Sequence, residues 1–151
     1  MKTKLAIFAL ALILFGTAEA FAQPRTEVQD RAAARRLLGR HLFSLQWISW
    51  DYFGSANVTL RRGLYSIKGE QKGRGNTDFV TIIGEIETIK AREFTMNGTI
   101  TTQVSHINNG EPCVREGTFT FRVTGTRKYW RLQEMQNPCD GVTDYVDIYF
   151  R

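Results

Sequence analysis

Three tight-turn signals, Lys90-Ala91-Arg92, Asn109-Gly110 and Gly125-Thr126, each lie between segments whose apolar residues recur at every second position. Val80, Ile82 and Ile86 share one parity, as do Phe94, Met96, Ile100 and Val104, and then Phe119, Phe121 and Val123. Period two is the signature of a strand with one face in a core. The length of a hairpin loop then dictates which residues face each other, so each turn makes a statement about register. The first turn sets Ile82 opposite Ile100, Gly84 opposite Gly98 and Ile86 opposite Met96. The second sets Ile100 opposite Phe119 and Gly98 opposite Phe121, and the third sets Phe121 opposite Trp130 and Phe119 opposite Leu132. Together they predict one row, Gly84, Gly98, Phe121 and Trp130, across four strands. Two glycines beside two large rings make room for the rings and let a sheet bend, which predicts a sheet curling into a barrel.

The rest of the chain extends the same pattern. Leu42 to Trp50 reads as a strand apolar on both faces, with Phe43, Leu45 and Trp47 on one and Leu42, Ile48 and Trp50 on the other. Such a strand requires cover on both sides, and the expected cover is a helix over Arg25 to Arg40, rich in alanine and leucine after Pro24. A turn at Arg62-Gly63 places Leu60 against Tyr65 and Val58 against Ile67, Gln71 to Thr77 is a polar loop, and Thr143 to Phe150 is the last strand. The expectation is an all-β fold: an eight-stranded antiparallel meander barrel with one N-terminal helix, closed so that no edge is exposed. Its outward residues, among them Glu85, Glu87, Asn97, Thr120, Arg122 and Arg131, are polar, the reverse of a membrane barrel.

Residues 1–22 read as a cleavable signal peptide: a basic Met1 to Lys4, an apolar Leu5 to Gly16 shorter than the ~20 residues that span a bilayer, and Ala20-Phe21-Ala22 before Gln23. Residues 23–41 are then the helix and 42–151 a single barrel domain, exported to a periplasmic or extracellular space, with no transmembrane segment left after cleavage. Loss of two lysines and one glutamate with that leader takes the formal net charge from +5 to +4, too small an excess to argue for nucleic acid. Export permits a disulfide, and Cys113 and Cys139 are the two cysteines available.

No nucleophile motif, dinucleotide loop, phosphate loop or paired-histidine metal motif stands in the sequence, so no cofactor or metal is expected. His41 and His106 read as ordinary histidines, and Asp140, Asp144 and Asp147 lack the spacing and glycine of a calcium loop. The candidate ligand-binding residues are the inward aromatics Trp47, Tyr65, Phe94, Phe119, Phe121 and Trp130, because an eight-stranded barrel is just wide enough to be filled or to hold one small ligand. A helix followed by an eight-stranded meander resembles the lipocalin and fatty-acid-binding type of barrel, although the Gly-x-Trp signature of lipocalins is absent, Trp47 following Leu45-Gln46. Small periplasmic lysozyme inhibitors share the small disulfide-bearing barrel, and neither family is matched residue by residue.

The expected function is an exported barrel that binds a small apolar or amphipathic ligand. Two alternatives stay open. One is an interaction or inhibitor module engaging an envelope protein through loops such as Gln71 to Thr77 and Asn137 to Gly141; the other is an enzyme using Glu134 or Asp147 with an arginine.

Overall fold

The computed structural model describes residues 23–151, so the expected signal peptide over residues 1–22 lies outside the described residues. The elements are β1 (Glu27–Val28), α1 (Arg31–Leu37), β2 (Gly39–Leu45), β3 (Gly54–Arg61), β4 (Leu64–Lys72), β5 (Phe79–Ile89), β6 (Glu93–Gln103), β7 (Cys113–Arg122), β8 (Tyr129–Leu132) and β9 (Val146–Tyr149). From β2 to β9 each strand pairs antiparallel with the next, and β9 returns to β2, with Phe43 against Ile148 and Leu45 against Val146. The result is a closed eight-stranded antiparallel barrel. Phe43, Leu45, Ile67, Ile82, Ile86, Phe94, Met96, Ile100, Phe121 and Leu132 fill its interior, all essentially inaccessible to solvent. The outer face is polar apart from scattered residues such as Ile83 and Val114 and an aromatic group around Tyr149.

Two hairpins keep the expected register. Val58 faces Ile67 and Leu60 faces Tyr65, across a turn whose Arg62 (φ 51°) and Gly63 (φ 85°) are both left-handed, the geometry a two-residue hairpin of this hand demands. Ile82, Gly84 and Ile86 face Ile100, Gly98 and Met96. This second agreement has a different origin from the expected three-residue loop. The loop is shorter, closed by Lys90 N–H donating to Glu93 C=O (2.8 Å), and a bulge between Ile86 and Thr88 puts back the missing residue.

The next two registers correct the sequence reading. Phe119 faces Met96 and Phe121 faces Phe94, four residues along β6 from the expected partners. Asn109-Gly110 is not a hairpin tip but part of a helical turn, Asn108–Gly110, within a longer connection that begins with Ile107 N–H donating to Val104 C=O (3.0 Å). On the other side of β7, Phe121 faces Leu132 rather than Trp130. The Gly125-Thr126 turn does form, with Arg127 N–H on Thr124 C=O (3.3 Å), but Val123 N–H turns away to Arg92 C=O (2.8 Å), so pairing with β8 begins later. The glycine row is therefore Gly84, Gly98 and Gly117.

The helix is shorter than the expected Arg25 to Arg40 because its neighbours compete for the backbone. Thr26 Oγ1 donates to Ile86 C=O (2.6 Å) and accepts from Tyr65 N–H (2.8 Å), and Glu27–Val28 then zips parallel onto the end of β5, where β4 has stopped. Asp30 caps the helix by accepting from Ala33 N–H (2.7 Å). Gly39 (φ 105°) turns the chain directly into β2. Ala33, Ala34 and Leu37 bury one helical face at this end of the barrel. His41 pins the junction, its Nδ1 2.9 Å from Tyr149 C=O and its Nε2 2.8 Å from Leu37 C=O.

The first long strand is corrected too. It stops at Leu45, where Ile48 N–H bonds back to Leu45 C=O (3.0 Å), and Leu42 (51%) and Trp50 (58%) are exposed, so no second cover is needed. The last strand is likewise limited to Val146–Tyr149.

Cys113 and Cys139 form the expected disulfide, with Cα atoms 6.0 Å apart, joining the start of β7 to the connection between β8 and β9. Across a sequence separation of 26, chain entropy assigns the bridge about 3.5 kcal/mol. Urea titrations with and without reductant should differ by that amount, and coincident curves would show that the bridge does not restrain the unfolded chain.

Candidate functional site

Three of the six expected ligand-binding aromatics, Phe94, Phe121 and Trp130, form a contacting group, and Phe119 is buried in the same core. Phe94 and Phe121 stack at 5.1 Å with planes 6° apart, and Phe94 meets the edge of Trp130 at 6.0 Å. Phe94, Phe119, Phe121 and Trp130 are all at most 4% exposed. Tyr65 and Trp47 lie apart from this cluster and at opposite ends of the barrel, Tyr65 beside the Arg62-Gly63 turn and Trp47 beyond β2. Rings in mutual contact pack as a core does, and the cross-strand neighbours of Phe121 are Phe94 and Leu132.

At the end near the disulfide, Trp47 Nε1 donates to Asp144 Oδ1 (3.1 Å) and Asn137 Nδ2 to Asp144 Oδ2 (3.0 Å). Burial pushes the Asp144 carboxyl above its ordinary pKa, against the pull of those two donors. Arg115 shares the inward parity of Cys113 and Phe119 and is 8% exposed. One of its terminal nitrogens donates to Glu134 C=O, and the other stands 4.0 Å from Asp144 Oδ2 with no hydrogen-bond partner among the described residues. Burial lowers the guanidinium pKa. Both charged forms therefore bear a desolvation cost that the long contact only partly offsets. The adjoining hollow, bounded by Trp47, Asn137 and Asp144, measures about 10 Å³, the lower limit for a single water. This cluster holds the β8–β9 connection in place and has no room for a substrate. The two carboxylates considered for catalysis are also engaged: Glu134 accepts from Thr120 N–H (2.9 Å), and both oxygens of Asp147 accept from Arg131.

The opposite end gathers charge. In an up-and-down barrel every second connection lies at the same end, so α1, the β3–β4 turn, the β5–β6 turn, the β7–β8 loop and Arg151 share one rim. They present Arg31, Arg35, Arg36, Arg61, Arg62, Lys90, Arg92, Arg127, Lys128 and Arg151, joined by Arg25 before β1. The acidic residues at or next to that rim are Glu27, Asp30, Glu87 and Glu93, and Glu93 is taken by Arg122 (2.6 Å) and Lys90 (3.3 Å). The hydrogen bond from Arg122, reinforced by Lys90, holds the Glu93 carboxyl below its ordinary pKa. The loops at the far end carry Asp51, Asp78, Glu111, Glu134, Asp140 and Asp144, with Arg74 as their cation.

Between α1, the β5–β6 turn, the β7–β8 loop and Phe150, this basic rim opens into a cleft of about 380 Å³. Main-chain bonds set its walls: Val123 N–H donates to Arg92 C=O (2.8 Å) and Phe150 N–H to Lys128 C=O (2.8 Å). The Arg92 guanidinium ties the walls again through Val123 C=O (3.2 Å) and Gly125 C=O (2.5 Å), while that of Arg36 lies over the Phe150 ring at 5.2 Å. The helical arginines and Arg127-Lys128 are about ninety residues apart in sequence. Counting connections around a closed meander would have placed them at one rim.

The model of the PM1083 family matches residues 25–150. The chain is also 43% identical over 155 residues to a protein of Pasteurella multocida (strain Pm70) described as "Uncharacterized protein PM1083", a match covering 99% of this chain and 100% of that one. No solved structure matches the chain significantly.

Proposed function

The chain belongs to the PM1083 family, and we propose that it is an exported binding module that works through the outside of its barrel, taking an anionic partner at the helix-bearing rim. The observation that carries this reading is the separation of charge between the two ends. At the helix rim Arg36, Arg92, Arg127 and Lys128 border one cleft, and none forms an ion pair among the described residues. Unneutralised charge gathered on one face raises the local concentration of an oppositely charged partner and steers its approach. The disulfide supports export to an oxidising compartment. The closed meander supports a lipocalin-like architecture, but a small apolar ligand inside it would have to separate rings already in contact. The loops 71–77 and 137–141, considered as an interaction surface from the sequence, lie at the other end beside the acidic residues.

Retention on immobilised heparin, used as a polyanion probe, tests the reading. Arg31→Glu/Arg35→Glu should elute at clearly lower salt than the parent protein. Lys68→Glu/Lys72→Glu, on β4 away from the helix rim, changes net charge equally and should shift elution far less. Equal shifts would mean that only net charge matters, and the rim would lose its role.

A further inference from the structure

The cleft at the basic rim has features that a diffuse positive field does not require. Its cations come from three separate elements, Arg36 from α1, Arg92 from the β5–β6 turn, and Arg127 and Lys128 from the β7–β8 loop. Its walls are held by the two main-chain bonds and by the Arg92 guanidinium, so the elements that carry the cations are pre-positioned rather than gathered on binding. The nearest acid on the same turn, Glu93, is already paired with Arg122 and Lys90. The guanidinium of Arg36 has only an aromatic face as its described partner, over Phe150, and Arg127 likewise lies 5.7 Å from the Tyr129 ring. A ring engages the guanidinium face and leaves the in-plane N–H donors free for an acceptor.

Resting on the outward-binding reading above, we infer that this cleft is a phosphate-binding subsite, made for a diphosphate or for a phosphate monoester carried on a larger molecule. Planar guanidinium forks match the oxygens of a phosphate group two at a time, and a lysine adds a point charge. A monoester carries about two charges at neutral pH and a diphosphate more, which suits several unpaired cations better than a single carboxylate would. The 380 Å³ volume accommodates a phosphate group together with the first atoms of whatever bears it. Such a group could reach the cleft free in solution or displayed as a lipid headgroup, and the chemistry at the cations is the same.

Calorimetric titration of the folded protein with inorganic pyrophosphate at low salt tests the subsite. Saturable binding is expected, weaker for the dicarboxylate succinate, and lowered by about tenfold in Arg127→Gln/Lys128→Gln, consistent with the loss of two charge-assisted contacts. Arg36→Gln should weaken it as well, whereas Lys68→Gln/Lys72→Gln should leave it unchanged. Co-sedimentation with phosphatidylcholine vesicles, with and without phosphatidic acid, then identifies the source. Loss of vesicle binding in Arg127→Gln/Lys128→Gln marks a headgroup site, and unchanged vesicle behaviour beside weakened pyrophosphate binding marks a site for free phosphates. Pyrophosphate affinity unaltered in Arg127→Gln/Lys128→Gln, or lowered equally by the Lys68/Lys72 change, would overturn the assignment. Retention of heparin binding without saturable pyrophosphate binding would overturn the subsite alone and leave the broader reading intact.

Discussion

Gly98→Ala is expected to destabilise the barrel by about 4 kcal/mol, the upper end of what a single methyl group does in a packed interior. A Cβ at this position would lie 2.2 Å from the Ile83 carbonyl oxygen and 2.5 Å from the Gly84 Cα, and both atoms belong to the paired strand. Neither can retreat without opening the β5–β6 ladder near its middle. The Met96 Cε, 2.9 Å away, could swing aside, but that would relieve only one of the three contacts. Gly117, next in the same row, separates sterics from backbone strain. A Cβ there meets nothing within 4 Å, yet its φ of 133° is one that side-chain-bearing residues rarely adopt, so Gly117→Ala should cost about 1–3 kcal/mol. Urea unfolding of the two variants measures both losses. A Gly98→Ala protein no less stable than Gly117→Ala would show that the strands separate more easily here than the contacts imply.

The glycine row also marks what could be read from the sequence and what could not. Alternation identifies faces, and every face expected inward in β5, β6 and β7 is inward. Register is a different quantity. The β6–β7 pairing differs from expectation by four residues and the β7–β8 pairing by two, and an even slip leaves every side chain on its own face. Only an odd slip conflicts with the hydrophobic pattern, so period-two reasoning is blind to the errors that occurred. At β5–β6 a loop shorter than expected and a bulge at Glu87 cancelled, and the correct partners followed from an incorrect turn. The helix failed for another reason: Thr26 and Glu27–Val28 find tertiary partners on β4 and β5 that outcompete an extra helical turn, and local propensity carries no record of them. The basic rim, by contrast, was recoverable. Once the meander is granted, alternate connections share an end, and the positions of Arg61-Arg62, Lys90 to Arg92 and Arg127-Lys128 follow from strand order alone. Arg115 could be found by the same logic, since a cation on the parity of Phe119 and Phe121 must enter the barrel.

Asp147→Ala is the second change expected to cost about 4 kcal/mol, by leaving a largely buried cation without its counter-charge. Asp147 lies on the outward parity of β9, between Val146 and Ile148, yet is 1% exposed. The reason is an aromatic covering on the barrel's outer surface. Tyr129 and Tyr149 pack at 5.3 Å, Phe53 meets Tyr149 at 5.1 Å, and Tyr129 and Tyr145 flank the Arg131 guanidinium at 5.1 and 4.1 Å. Beneath it Arg131 Nε donates to Asp147 Oδ1 (2.8 Å) and its terminal nitrogen to Oδ2 (2.6 Å). The hydrogen bonding to Asp147 raises the arginine's pKa despite its burial. That direction is opposite to Arg115, whose carboxylate stands at 4.0 Å. Geometry decides the difference: two short parallel bonds outweigh desolvation, and one long contact does not. Removing Asp147 leaves Arg131, only 14% exposed, held between two rings with little access to water. Arg131→Met added to Asp147→Ala should therefore restore about 1–2 kcal/mol, because an apolar chain can occupy the channel that a lone cation cannot. A double-mutant cycle followed by thermal unfolding reads this coupling directly. Strictly additive losses would show that the pair contributes packing and no mutual charge stabilisation, and that Asp147 is free for another role.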